Sequence, residues 1–185
     1  MQDCIEARSD PYLRFTVPDL LVESRTAAAS LLGAPTDDVV FVPNATTAVN
    51  TVLHNLNFVE GDTIVYFSTI YGACEKTVQY LCEKTLAQYK CINVTFPIDD
   101  SILIQVFRDA IIDLGQQGRT AKIAMFDTVA TFPGVRLPWE ALVRTCQDLK
   151  VLSLIDGAHG IGHIDLTHLA DVGPDFFTSN CYKYV

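Results

Sequence analysis

Short apolar, β-branched runs alternate with longer stretches of helical periodicity through most of this chain, and that alternation does most to narrow the folds open to it. Residues 39–42, 63–67, 91–96, 122–126 and 151–155 have the composition of buried strands, with a further apolar pair at Phe176 and Phe177. Between them, residues 45–56, 73–89, 102–114 and 139–149 space their apolar side chains as helices do. Strand followed by helix, repeated, predicts an α/β fold: a mostly parallel sheet with flanking helices. Ahead of the first run, residues 11–17 read as irregular or extended. Pro18-Asp19 then opens a helix that Gly33 and Pro35 stop.

A parallel sheet brings its strand ends to one rim, where open α/β folds bind ligands. The run 151–155 ends on Asp156, followed by the small-residue stretch Gly157-Ala158-His159-Gly160, and the pair Phe176-Phe177 is followed by Lys183. An acid and an amine are therefore expected on the same rim. A carboxylate after a largely apolar run needs a cation or hydrogen-bond donors if it is buried, and capping the turn at Gly157-Ala158 would also serve it. Lys183, read by itself, also suits an exposed position near the end of the chain.

Asn44 is placed to cap the helix starting at Ala45. The N–H groups and small side chains of Ala45, Thr46 and Thr47 would admit an anion there, although a plain capped turn fits the same residues. Tyr71 follows the run 63–67 and so lies on the same rim, where its ring can stack on a flat ligand while its hydroxyl stays in water. Thr128 and Thr131 fall just past the run 122–126.

The D-G-A-H element at 156–159, with Lys183 following 27 positions later in S-N-C-Y-K, and the N-A-T-T element at 44–47 resemble class V pyridoxal-phosphate enzymes of fold type I. This group includes cysteine desulfurases and isopenicillin N epimerase, and the likeness is nearest to fungal hercynylcysteine sulfoxide lyases. The resemblance implies pyridoxal 5′-phosphate as cofactor. It makes Lys183 the Schiff-base lysine and later the base, Asp156 the partner of the pyridine nitrogen, and Tyr71 the ring-stacking residue. His159 would lie beside the ring at its phenolic oxygen, with Thr131 or Thr128 as a further polar contact. Ala45, Thr46 and Thr47 would form the phosphate cup, and Asn180 would flank the lysine. Catalysis would then fall to Lys183, Tyr71 and His159. Tyr182 departs from the pattern, because family members usually carry a histidine directly before the lysine.

The resemblance further implies a small-molecule amino-acid substrate, carbon–sulfur lysis of a cysteine-conjugate sulfoxide of the ergothioneine type, and a homodimer. Epimerisation, desulfuration and transamination begin with the same steps and stay open, as does a non-catalytic remnant. Residues 1–18 would be an N-terminal segment and residues 19–185 the large domain, cut just after the Schiff-base lysine.

Composition excludes other classes. Thirteen basic against 22 acidic residues, with no basic block, argue against a nucleic-acid partner. The start MQDCIEARSD lacks the pattern of a secretory signal and no apolar run approaches a membrane span, so a cytoplasmic protein with no membrane partner is expected. The six cysteines fall at no metal-binding spacing, and a chain with 49% hydrophobic residues has core enough without disulfides. His159, His163 and His168 with Asp156 and Asp165 would suit zinc only on a helix, which Gly157, Gly160 and Gly162 oppose, so no metal is assigned. The glycine order G-x-x-G-x-G from Gly157 does not match a dinucleotide loop, and no nucleophile elbow or P-loop is present.

Overall fold

Five parallel strands form one sheet in the order β2-β1-β3-β4-β5. In this computed structural model they are β1 (Asp62–Phe67), β2 (Gln88–Ile92), β3 (Thr120–Asp127), β4 (Leu152–Asp156) and β5 (Phe176–Thr178). The helices are α1 (Val17–Leu31), α2 (Ala45–His54), α3 (Gly72–Lys84), α4 (Asp100–Gln116), α5 (Trp139–Leu149) and the short α6 (Leu169–Val172). The expected mostly parallel α/β sheet with flanking helices is what the chain forms. The structure describes residue 5 and residues 7–183; Cys4, Tyr184 and Val185 lie outside the described residues. Among these, no helix is long and apolar enough to cross a membrane.

The chain divides into two compact units, Met1–Phe41 with Leu166–Asp171, and Val42–Asp165 with Val172–Val185. In the first, α1 continues from a helical lead-in, Ser9–Pro11 and a π-helical turn at Tyr12–Thr16. This corrects the irregular reading of residues 11–17: Pro11 and Pro18 each fall near the start of a helical stretch, where a proline lacks no needed N–H. Gly33 ends the helix with φ +58°, and a Cβ there would stand 1.8 Å from the Thr167 carbonyl oxygen, so no other residue fits the turn.

The second unit holds the sheet. Side chains alternate along β1 and β3, both of which are covered on two faces. Ile64, Tyr66, Ile123 and Met125, with Leu154 of β4, pack under Val49 and Leu53 of α2 and Cys74, Val78 and Leu81 of α3. On the intervening positions, Phe67 and Phe126 meet Phe107 of α4, with ring centroids 5.6 and 5.8 Å apart. Coverage on both faces is why these strands read as continuous apolar runs rather than alternating ones.

Two elements depart from the expectation. Residues 39–42 form no strand: Val40, Phe41 and Val42 are exposed, and none of the described strands pairs with them. The helix expected over 73–89 ends at Lys84, and β2 begins at Gln88 rather than at Cys91. β2 is an edge strand whose first three residues, Gln88, Tyr89 and Lys90, are exposed, so it lacks the apolar run that marks a buried strand.

Candidate active site

Every strand points its C-terminal end to the same rim, and a cavity of about 410 Å³ opens there. Of the residues singled out in the sequence for the cofactor, all but Thr128 line it: Ala45, Thr46 and Thr47 from α2, Tyr71 from the loop after β1, Thr131 after β3, Asp156 and His159 at and after β4, and Asn180 and Lys183 after β5. Thr128 is fully buried and does not line the cavity, so Thr131 is the threonine placed to act there.

The position of Lys183 follows from how β5 is fixed to β4. At the start of β5, the Ser153 N–H and hydroxyl donate to Asp175 Oδ2 at 2.8 and 2.9 Å, and the Asp175 N–H returns a bond to Ser153 Oγ at 2.9 Å. At its end, the Gly157 N–H donates to the Thr178 carbonyl at 2.7 Å and the Ser179 hydroxyl to the Gly157 carbonyl at 2.6 Å. This approach is open only to glycine: a Cβ at 157 would fall 2.2 Å from Phe177 Cζ and 2.9 Å from the Thr178 oxygen. The loop so fixed carries Lys183 Nζ to 3.3 Å from His159 Nε2, with Thr131 Oγ1 at 3.5 Å from the same nitrogen. Burial, and after it the charge of Lys183, lower the pKa of His159 below the usual histidine value. A neutral imidazole can accept the proton that the ammonium offers.

At the helix end, Asn44 is the N-cap, its Oδ1 accepting from the Thr47 N–H at 2.8 Å and from the Thr47 hydroxyl at 3.1 Å. The Ala45 N–H donates to Asn180 Oδ1 at 3.0 Å. Two of the three amides expected to cradle an anion are thus engaged within the protein. Thr46 offers the N–H for an incoming anion, and the positive end of the α2 dipole adds to it. Asn180 acts first as a tie between the β5 loop and α2. Tyr71 is half exposed, immediately precedes α3 and lines the cavity.

Asp156 is buried and satisfied by two donors: the Ala158 N–H reaches Oδ1 at 2.9 Å and the Cys74 thiol reaches Oδ2 at 3.7 Å. Beside it stands Asp127, a cavity residue the sequence reading passed over. The signal was present, because the apolar run before Asp127 ends on a carboxylate just as the run before Asp156 does. Burial and the neighbouring Asp156 charge raise the pKa of Asp127 well above the usual carboxylate range.

The sequence profile described as Aminotransferase class-V matches residues 7–185. The chain belongs to that family. Among class V relatives it is 33% identical over 181 residues to the L-cysteine desulfhydrase-like protein lolT1 of Epichloe uncinata, a match that covers 98% of this chain and 40% of that protein. It is 29% identical over 184 residues to the hercynylcysteine sulfoxide lyase of Schizosaccharomyces pombe, covering 97% of this chain and 45% of that one. The chain therefore spans less than half the length of these relatives. Of solved structures, a complex of the cystine C-S lyase C-DES with its product cysteine persulfide superimposes with a TM-score of 0.78 at 19% identity, over 89% of this chain and 42% of that one, a likeness of fold.

Proposed function

We propose that this chain forms the cofactor-binding part of a pyridoxal-phosphate-dependent lyase that cleaves a carbon–sulfur bond in a cysteine-derived amino acid, a cysteine-conjugate sulfoxide being the favoured substrate. The observation that carries the reading is the meeting of Asp156, His159, Lys183 and the α2 N-terminus in one cavity on the strand-end rim. These residues fit the group. A buried carboxylate suits a cationic ring nitrogen, a helix N-terminus with small side chains suits a phosphate, and an amine and an aromatic ring line the same cavity. Pyridoxal phosphate, when bound, supplies an electron sink for the charge left on a substrate's α-carbon.

The chain's own residues would do the rest. Asp156, held in place by donors from Ala158 and Cys74, would face the ring nitrogen. Thr46 and the helix dipole hold the phosphate. Tyr71, which lines the cavity, would stack on the ring and limit access of water. Lys183 would hold the group through Nζ and would serve as the base for the substrate's α-proton; His159 Nε2, within hydrogen-bond reach, would hold the amine in position. Sulfur as the leaving group is supported by the names of the relatives, a desulfhydrase-like protein and a sulfoxide lyase. The same reading carries a homodimer, checked by light scattering, and a cytoplasmic location, checked by cell fractionation.

The test is to add pyridoxal phosphate to the purified chain, look for visible absorption, reduce with borohydride and map the labelled peptide. Label on Lys183 supports the assignment, and label elsewhere or none removes it. Pyruvate release from cysteine and from a cysteine-conjugate sulfoxide then ranks the substrates.

A further inference from the structure

Strands β3 and β4 end side by side on two carboxylates. Asp127 and Asp156 are register partners, and alternation from Met125 and Leu154 places both on the face that carries Cys74 of α3. They are 4% and 5% exposed. Two adjacent carboxyl groups out of water do not both ionise unless cations match them, so the pair retains a proton.

The surroundings decide which member keeps it. Asp156 receives a donor on each oxygen, from Ala158 and Cys74. Asp127 has only its own backbone N–H for support, its Oδ2 is buried with no hydrogen-bond partner, and it makes no ion pair among the described residues. The other titratable groups around the pair are the Cys74 thiol on α3 and, lining the same cavity, His159, Lys183, Tyr71 and Tyr182. The thiol is itself pushed upward by burial and by both carboxylates, so it stays protonated and supplies no cation, and the Lys183 amine meets His159 rather than Asp127.

We infer that Asp127 is a neutral carboxylic acid and a positioning residue: it shares the cavity floor with Asp156, confines the pair's single negative charge to Asp156, and keeps its own O–H for a ligand in the cavity. The inference rests on the pyridoxal-phosphate reading for the identity of that ligand, but not for the charge state of Asp127. Were Asp127 ionised, the floor would set two negative charges against one ring cation.

The experiment has two arms. In the first, infrared spectra of the chain without cofactor are compared with those of Asp127→Asn at neutral pH. A carbonyl band of a protonated carboxylic acid, absent from the variant, is expected; an unchanged spectrum overturns the inference. In the second, pyridoxal phosphate is titrated into the wild type, Asp127→Ala, Asp127→Asn and Asp156→Asn. Asp127→Ala is expected to weaken binding by about tenfold, the scale of one lost hydrogen bond, with Asn recovering most of that loss. A loss in Asp127→Asn as large as in Asp156→Asn would mean that Asp127 works as an anion and would overturn the inference. If the wild type takes up no pyridoxal phosphate, the functional reading fails, while the infrared arm still decides the state of Asp127.

Discussion

Lys183 Nζ lies 3.3 Å from His159 Nε2, across 24 positions of sequence. The imidazole lost part of its hydration on folding and faces an amine that carries charge, and both effects favour its neutral form. A histidine whose folded pKa is depressed binds fewer protons folded than unfolded. It therefore contributes stability above its ordinary value of 6.5 that is lost as pH falls through that value toward the folded pKa. Imidazole NMR should show His159 titrating below the ordinary histidine range, and Lys183→Met should move the midpoint upward. An unmoved midpoint would mean that the two side chains do not interact in solution.

Asp127 works in the opposite sense. Its folded pKa is raised above the ordinary 3.8, so its contribution is complete below that value and declines as pH rises through the folded pKa. Urea unfolding of the cofactor-free chain should show stability falling with pH over that range more steeply in the wild type than in Asp127→Asn. Parallel curves would speak against the shift.

Gly157→Ala forces a methyl group into Phe177 and the Thr178 carbonyl. The expected cost is about 1–3 kcal/mol, read as a lower urea midpoint, because overpacking displaces side chains from their rotamers. Adding Phe177→Leu should relieve only part of it, since the carbonyl contact remains. Full recovery in the double variant would place the whole strain on the ring.

Asn180→Ala removes the acceptor of the Ala45 N–H, which is then buried without a partner. A loss of about 1–3 kcal/mol is expected, larger than the roughly 1 kcal/mol for removing the N-cap with Asn44→Ala. Equal losses would mean that water replaces Asn180 readily.

The sequence made the strand–helix order legible because β1, β3 and β4 are covered on both faces and so write continuous apolar runs. Gln88, Tyr89 and Lys90 were not legible as a strand, since an edge strand can leave its side chains in water and still hydrogen-bond through its backbone. Val40, Phe41 and Val42 show the reverse: a run with strand composition needs a neighbour, and none of the described strands supplies one. At the site, the strand-end rule located Asp156 and Lys183. Only register could show that Asp127 stands beside Asp156, and only side-chain geometry that Asn180 and Asn44 had already taken two of the three helix amides.

The bond from the Ala45 N–H to Asn180 spans 135 positions of sequence. It ties the loop after β5 to α2 and takes the Ala45 amide out of the anion seat, so which amides that seat offers depends on whether β5 is docked against β4. A phosphate compound that also took the Ala45 N–H would compete with Asn180 for it, and its binding would shift the docking equilibrium of β5 by mass action.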